Sequence, residues 1–279
     1  MKNAENDTIK KSRARKWARR LLKLAGYGLL TVVVLLAVGI TFTIGWRPFV
    51  GPKARPLTDR KFEVTQARLE RGEYLVEGSL HCFQCHSQPD KTAAGAPALL
   101  HTKGGGRIWN EEGFPWLVTP NITPHKETGA GNWTDDMLAR AIREGIGHDG
   151  RALFPLMPYR SFSHMSDEDL ASVVVYLRSI SPIEDRLPKT KTPFPLSIIL
   201  NILPEPLNAA VPSPDLSTQV KRGEYLAKIS DCEGCHTPRG RMGPTIPGWS
   251  LRAATFLVRA TLRWQPQISP RPDWYFLLR

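Results

Sequence analysis

Two stretches of this chain place a pair of thiols and an imidazole at the same short spacing: Cys82-Phe83-Gln84-Cys85-His86 and Cys232-Glu233-Gly234-Cys235-His236. Together they use all 4 cysteines of the 279 residues, so none is left for a structural disulfide. Three chemistries call for thiols at this spacing. A zinc site needs the two pairs to converge and does not require a His after each. A thioredoxin-like redox pair expects a βαβ surrounding, which neither stretch has. The third is thioether attachment of haem, in which both sulfurs add to vinyl groups of the porphyrin and the following His is set under the iron. The duplicated His selects this reading, with haem c and its iron expected at Cys82, Cys85 and His86 and again at Cys232, Cys235 and His236.

A sixth iron ligand is expected from later in the chain. Met157 lies in Leu153-Phe154-Pro155-Leu156-Met157-Pro158-Tyr159, where the two prolines forbid a continuous helix. A thioether on such a stiff loop is free to face the iron opposite His86, and Met/His ligation raises the reduction potential. A core-filling Met is the plainer alternative. Met165, Met137 and His164 are the rivals; Met165 suits a helix start before Ser166, and Met137 falls inside a helix.

The elements that must position these groups are helical. Thr65 to Glu77 reads as a helix leading into the first C-x-x-C-H. Thr134 caps a helix over Asp135 to Glu144, with acids in its first turn and Gly145 at its exit. Ser166 caps another over Asp167 to Ser179, with Leu170, Val173, Val174 and Leu177 as its buried stripe. The stretches between are rich in Gly and Pro and lack strand alternation. Asn121-Ile-Thr and Asn132-Trp-Thr match the glycosylation pattern but suit turns and a helix cap better.

The chain repeats itself. Arg71-Gly-Glu-Tyr-Leu precedes Cys82 as Arg222-Gly-Glu-Tyr-Leu precedes Cys232, and Thr119-Pro-Asn-Ile-Thr-Pro is echoed by Gln265-Pro-Gln-Ile-Ser-Pro. The expected organisation is a basic segment 1–23, an anchor 24–46, a first haem module 65–186, a Pro-rich connector 187–217 and a second module 218–279. The expected fold class is mainly α, an N-terminal transmembrane helix followed by class I cytochrome c-like domains with long loops. Within the connector, the apolar insert Leu196 to Leu203 is too short to span a membrane and is expected to pack on a module.

The net charge of +12 suggests nucleic acid until it is located. Residues 1–23 hold nine Lys/Arg against Glu5 and Asp7, and residues 239–279 hold seven Arg against Asp273. The stretch between is within one charge of neutral, so no basic face for phosphates is implied. Leu24 to Trp46 carries no charge and, as a helix, would be roughly 35 Å long, enough for the ~30 Å hydrocarbon layer. The basic cluster before it keeps the N-terminus in the cytoplasm and puts the haem modules on the periplasmic side of a bacterial inner membrane. A cleaved signal peptide fits less well, because the apolar run is longer than an h-region and no A-x-A-like site follows it. Trp17 and Trp46 suit the two interfaces.

Arg71-Gly-Glu-Tyr-Leu, the haem string, Thr119-Pro-Asn-Ile-Thr-Pro, Thr128-Gly-Ala-Gly-Asn-Trp, Leu156-Met-Pro-Tyr and Met165-Ser-Asp-Glu-Asp-Leu follow one another in this order. In them the chain resembles the multihaem cytochrome c subunits of membrane-bound alcohol and gluconate dehydrogenases, over roughly residues 60–245. The resemblance implies His86 and Met157 as axial ligands. It also implies an electron carrier of the respiratory chain rather than a catalyst, with a flavin or quinoprotein dehydrogenase as a separate donor chain and a quinone or another redox carrier as acceptor. A dihaem peroxidase is the enzymatic alternative, and a frameshifted relic the inactive one.

The second module departs from the pattern. From His86 to Met157 is 71 residues, whereas His236 is followed by 43. Asp273-Trp274-Tyr275 has codons that, read one base later, encode Thr-Gly-Ile, the kind of sequence the repeat expects there. A frameshift near Pro272 is the corresponding expectation, and an intact resequenced frame ending at Arg279 would refute it. Met242 is within reach of a second iron but lacks a framework to hold it, so the second haem is expected to be poorly enclosed or five-coordinate.

Overall fold

The computed structural model of the chain describes residues 2–43, 45–110 and 114–237. The side chains of Lys10, Lys11, Arg13 and Cys235 lie outside the described residues, as do Met242 and the arginine-rich tail with Pro272. Among the described residues the fold is mainly helical, with one hairpin of two-residue strands, β1 (Arg107–Ile108) and β2 (Val118–Thr119), paired antiparallel.

Helix α1 runs from Lys2 to Phe42. It therefore starts 22 residues before the apolar run, because most of the basic segment is Lys, Arg, Ala and Leu, all good helix formers. It also stops short of Trp46: Gly45, at φ +69°, turns back so that its N–H donates to the Ile40 carbonyl at 2.7 Å. Its Arg15–Phe42 part is 28 residues long and apolar enough to cross a membrane, with its side chains exposed. Trp46 Nε1 donates to Thr41 Oγ1 at 3.1 Å, tying the helix end to the short α2 (Arg47–Val50).

An extended strap follows and is clamped to the helical module after it. Arg55 donates to both oxygens of Asp136 at 2.7 Å and, through Nε, to Glu144 at 2.8 Å. The Thr58 amide adds a third donor to Asp136, whose side chain is fully buried. Phe62 N donates to Asp135 Oδ2 at 2.9 Å. The strap thus reads the first turn of α5 (Asp135–Glu144) through its acids, the charge that a helix N-terminus favours.

The core of the module is three helices. α3 (Gln66–Glu73) is capped by Thr65, whose hydroxyl accepts from Arg68 N, and crosses α7 (Asp167–Ser179), capped in turn by Ser166. The crossing is close because Gly72 has no side chain; a Cβ there would lie 2.1 Å from the Ser172 carbonyl oxygen. Arg71 holds the pair with a bidentate bond to Asp169, at 2.7 and 2.9 Å. Leu170, Val173, Val174 and Leu177 are buried as the periodicity predicts, and α5 has both its expected bounds and its Gly145 exit at φ +68°. The expected helix over 65–77 is divided: after Glu73 the backbone passes into a π-helical stretch, Tyr74–Ser79. Asn121 and Asn132 serve turns, the former buried with its amide on the Ile183 carbonyl at 2.7 Å.

The second repeat docks on the first. α9 (Gln219–Ile229) is capped by Thr218 as α3 is by Thr65, and buries Tyr225 and Ile229 in the first module's core. The Tyr225 hydroxyl donates to Asp169 at 2.6 Å and accepts from Ser166 N at 3.1 Å. α10 (Cys232–His236) follows it, with Ser161 donating to Asp231 at 2.6 Å. The connector is a second strap rather than a free linker: Lys191 N donates to Trp116 O, Leu207 N to Glu144, and the Val211 carbonyl accepts from Asp167 N. Its apolar insert forms α8 (Leu196–Ile199) and a 3₁₀ turn (Leu200–Ile202), both of which pack on α2.

Candidate functional site

The first C-x-x-C-H is positioned by a break in the backbone. The π-helical stretch ends at Leu80, whose N–H donates to Leu75 O at 2.8 Å, and His81 then takes the left-handed conformation at φ +51°. This residue sets the start of α4 (Cys82–Cys85), which puts His86 at its end. Asp231, at φ +57°, stands in the same place before Cys232. Neither residue is a glycine, so the shared left-handed turn marks a strained position of the kind that functional sites retain.

The hairpin and its loops grip the other side of the motif. Thr119 Oγ1 donates to the Cys85 carbonyl at 2.6 Å, and Gly106 N donates to the His86 carbonyl at 2.8 Å. Gly106 sits at φ +87° against Thr119, whose carbonyl oxygen would be 2.5 Å from an added Cβ. Only glycine allows that approach. His86 is buried, and its Nδ1 lies 2.8 Å from the Pro120 carbonyl oxygen. A carbonyl only accepts, so Nδ1 carries the proton and Nε2 keeps its lone pair for a metal. Burial lowers the His86 pKa; the Pro120 bond opposes this and Arg107 adds to it.

These residues open onto a cavity of about 350 Å³, within the ~300–1,000 Å³ of pockets that hold cofactor-sized molecules. Cys82, Cys85 and His86 lie on its walls, and so does Met157. The rest of the lining is dominated by apolar groups from α5, α7 and the loops, such as Ile122, Leu138, Ile142 and Leu177. Met157 is pinned on its loop by its N–H to Phe154 O at 3.2 Å and by Tyr159 N to its own carbonyl at 2.8 Å. Phe154 is held in turn by Trp116 and Phe114, with ring centroids 4.9 and 5.8 Å away. Trp133 and His148 stack at 4.2 Å on the cavity wall.

The rivals to Met157 stand elsewhere. Met165 is fully buried in the core, Met137 is on α5 under the Thr134 cap, His164 is exposed, and none of the three lines the cavity. Burial, with the neighbouring Cys85 adding to it, pushes the Cys82 thiol up to about 12. Such a site disfavours a thiolate and suits the neutral sulfur of a thioether. Among the described residues no group of three or more His, Cys, Asp and Glu gathers to hold a metal ion by itself, as a zinc site would. Two half-buried sulfurs on the cavity wall, an imidazole with a free Nε2, a thioether and an apolar cavity are what a covalently held haem c requires, and the residues fit it.

The structure carries the second string as far as Thr237. Cys232 is half-buried and His236 is exposed among the described residues. Sequence reasoning missed His81, the Pro120 carbonyl and the connector residues Leu187, Thr190 and Thr192, which also line the cavity. The echo of Thr119-Pro-Asn-Ile-Thr-Pro near Gln265 was the signal that singled out Pro120's segment. Nothing in the connector's composition marks Thr190 and Thr192.

A family model described as cytochrome c matches residues 69–181. A dihaem cytochrome c-type protein of Cereibacter sphaeroides is 30% identical over 221 residues, covering 77% of this chain and 70% of that protein. A nicotinate dehydrogenase subunit of Pseudomonas putida is 30% identical over 267 residues, 85% of this chain and 20% of its own length. The gluconate 2-dehydrogenase cytochrome c subunit of Pantoea cypripedii is 31% identical over 185 residues, 63% of this chain and 40% of its own length. The chain thus spans a fifth of the second relative and two fifths of the third.

Proposed function

Since the chain belongs to the cytochrome c family, whose cofactor is haem c with its iron, we propose that it is a membrane-anchored electron carrier, not a catalyst, and that its donor is a flavin or quinoprotein dehydrogenase carried on another chain. The acceptor is a quinone or a downstream carrier of the respiratory chain. The names of the nicotinate and gluconate dehydrogenase subunits among its relatives support a dehydrogenase as the donor. The uncharged run of α1 from Leu24 to Phe42 supports a single-pass anchor, and the basic cluster before it supports placing the residues after it on the periplasmic side of a bacterial inner membrane. Two haem modules, 65–186 and 218–279, are joined by the connector 187–217.

The observation that carries the reading is the meeting of Cys82, Cys85, His86 and Met157 on one cavity. Cys82 and Cys85 would hold the porphyrin, His86 Nε2 and the Met157 thioether its iron, and the bound haem supplies one-electron chemistry. The protein's share is orientation and shielding. The Pro120 carbonyl keeps the His86 tautomer and ring direction, the apolar walls exclude water, and the aromatic trio of Phe154, Trp116 and Phe114 keeps Met157 in place. Cys232, Cys235 and His236 would hold a second haem, in keeping with the dihaem relative.

Met157 on the cavity wall argues against the peroxidase alternative, which needs an open iron with distal acid–base groups. Full-length protein matured with haem and incorporated in lipid nanodiscs separates the two. An added flavin or quinoprotein dehydrogenase with its substrate is expected to reduce the haem bands, and a quinone to reoxidise them. Catalytic turnover of peroxide by the reduced protein, with no reduction by any dehydrogenase of either class, would reverse the assignment.

A further inference from the structure

Beyond the anchor, large exposed apolar side chains cluster on two short helices that pack on each other. α2 and the segment leading into it expose Trp46, Phe49 and Val50; the connector exposes Phe194 just before its insert and Ile199 and Ile202 within it. The exposures are large, 78% for Val50 and 81% for Phe194. The contact between the two is built, not incidental: Asn201 Nδ2 donates to the Pro48 carbonyl at 2.9 Å, and Pro48 and Leu200 are buried. Trp46 and Phe49 lie with ring centroids 6.3 Å apart.

Two observations say what covers this face. The first is continuity with α1, since Trp46 is bonded to Thr41 in the last turn of the apolar helix, so the face begins where that helix ends. The second is charge. Neither stretch, 44–58 or 186–204, contains a single Asp or Glu, while Arg47, Lys53 and Lys191 are exposed within them. Exposed Trp, Phe and Ile beside exposed Arg and Lys, with no acid, are the chemistry of a segment lying in the headgroup region of a membrane with anionic lipid.

We propose that α2, α8 and the 3₁₀ turn form a foot that rests in the outer leaflet of the bilayer crossed by α1. The inference rests on the anchor reading and adds to it an orientation for the haem module. The connector leaves the haem cavity only at its own foot: Thr190 bonds Val118 and lines the cavity with Thr192, and Phe194 follows two residues later. On the other side the strap from α2 is clamped to α5 by Arg55. With both connections seated on the leaflet, the cavity is held at one height and attitude over the membrane instead of swinging on a single tether. A lipid-dissolved carrier then meets the cavity in one geometry.

The test uses full-length haem-loaded protein in nanodiscs of phosphatidylcholine and phosphatidylglycerol with a headgroup-fluorescent lipid, whose emission the haem quenches by energy transfer. Strong quenching that rises with the phosphatidylglycerol fraction is expected for the native chain. The quadruple variant Phe49→Ser, Val50→Ser, Ile199→Ser, Ile202→Ser is expected to lose much of it with an unchanged haem spectrum. The surface variant Lys53→Glu, Lys191→Glu, which removes no packing, is expected to lose the dependence on phosphatidylglycerol. Equal quenching by all three proteins at every lipid composition overturns the foot, as does quenching that changes only when a dehydrogenase is added. Alkaline carbonate extraction of the native chain reads the anchor separately: release from vesicles would bring down the anchor and the foot together, whereas retention with unaltered quenching brings down the foot alone.

Discussion

Replacing Met157 by leucine is expected to lower the reduction potential of the first haem by on the order of 100 mV, a fraction of the ~0.8 V over which axial ligands tune haem iron. The same change should convert its low-spin absorption spectrum to a high-spin one. Leucine keeps nearly the volume of methionine, and such swaps cost under ~1.5 kcal/mol, so the cavity wall survives and only the sulfur is removed. The loop geometry makes the effect specific to this position. Met157 is fixed between two prolines and by two backbone hydrogen bonds, and its support through Phe154, Trp116 and Phe114 does not involve the thioether. Met165→Leu is the control: Met165 is buried in the core and does not line the cavity, so its replacement should leave potential and spectrum unchanged. A Met157→Leu protein with the native spectrum would mean that another group holds the iron's sixth position.

The second large effect is expected at Asp136. Its carboxylate is fully buried and meets Arg55, which is itself nearly covered and also pairs with Glu144. Removing Asp136 takes two charge-assisted hydrogen bonds from Arg55, worth roughly 1.5–3 kcal/mol each, and leaves it Glu144 alone as a carboxylate partner. Asp136→Ala is therefore expected to shift the urea midpoint of the haem module strongly, and to free the strap between α2 and α5 as well. The pH dependence follows from the same contacts. Burial alone would raise the Asp136 pKa, but hydrogen bonds from Arg55 and Thr58 outweigh it and hold the carboxyl at about 2, below the ordinary 3.8. A group whose pKa is lower in the folded protein than in the unfolded chain stabilises the fold above the unfolded value. Its contribution is whole above about pH 4 and disappears as the pH falls toward 2. Stability measured over that window should fall more steeply in the native protein than in Asp136→Asn. Parallel curves for the two would show that the clamp does not carry the acid step.

Much of this architecture was legible because local chemistry decides it. Thr65, Thr134 and Ser166 cap where they stand, since a hydroxyl oxygen has an unpaired N–H three residues on to accept from. The stripe of α7 follows its period, and Met157 was visible through its prolines. The elements that differ are those decided by contacts far along the chain or by the backbone alone. The π-helical stretch after Glu73 and the left-handed His81 have no marker residue, because His and Tyr are ordinary in helices and turns alike. The Arg55–Asp136 clamp joins residues 81 apart, and no spacing rule reports such a pair. The connector's role as a cavity wall was hidden for the same reason, its prolines suggesting a spacer where Thr190 and Lys191 in fact bond the hairpin. Absence of charge set the expected limits of the anchor, 24–46, and the helix-forming basic segment extends α1 toward the N-terminus.

Electron transfer through this chain depends on the sulfur–porphyrin bonds of the first module. Protein produced with a competent cytochrome c maturation system, denatured, digested and separated, is to be followed by visible absorbance and mass together. The peptide containing Cys82, Cys85 and His86 is expected to keep its colour and to carry one haem bonded through both cysteines. A colourless peptide with two free thiols, or intact protein that holds zinc in place of iron, would contradict that attachment.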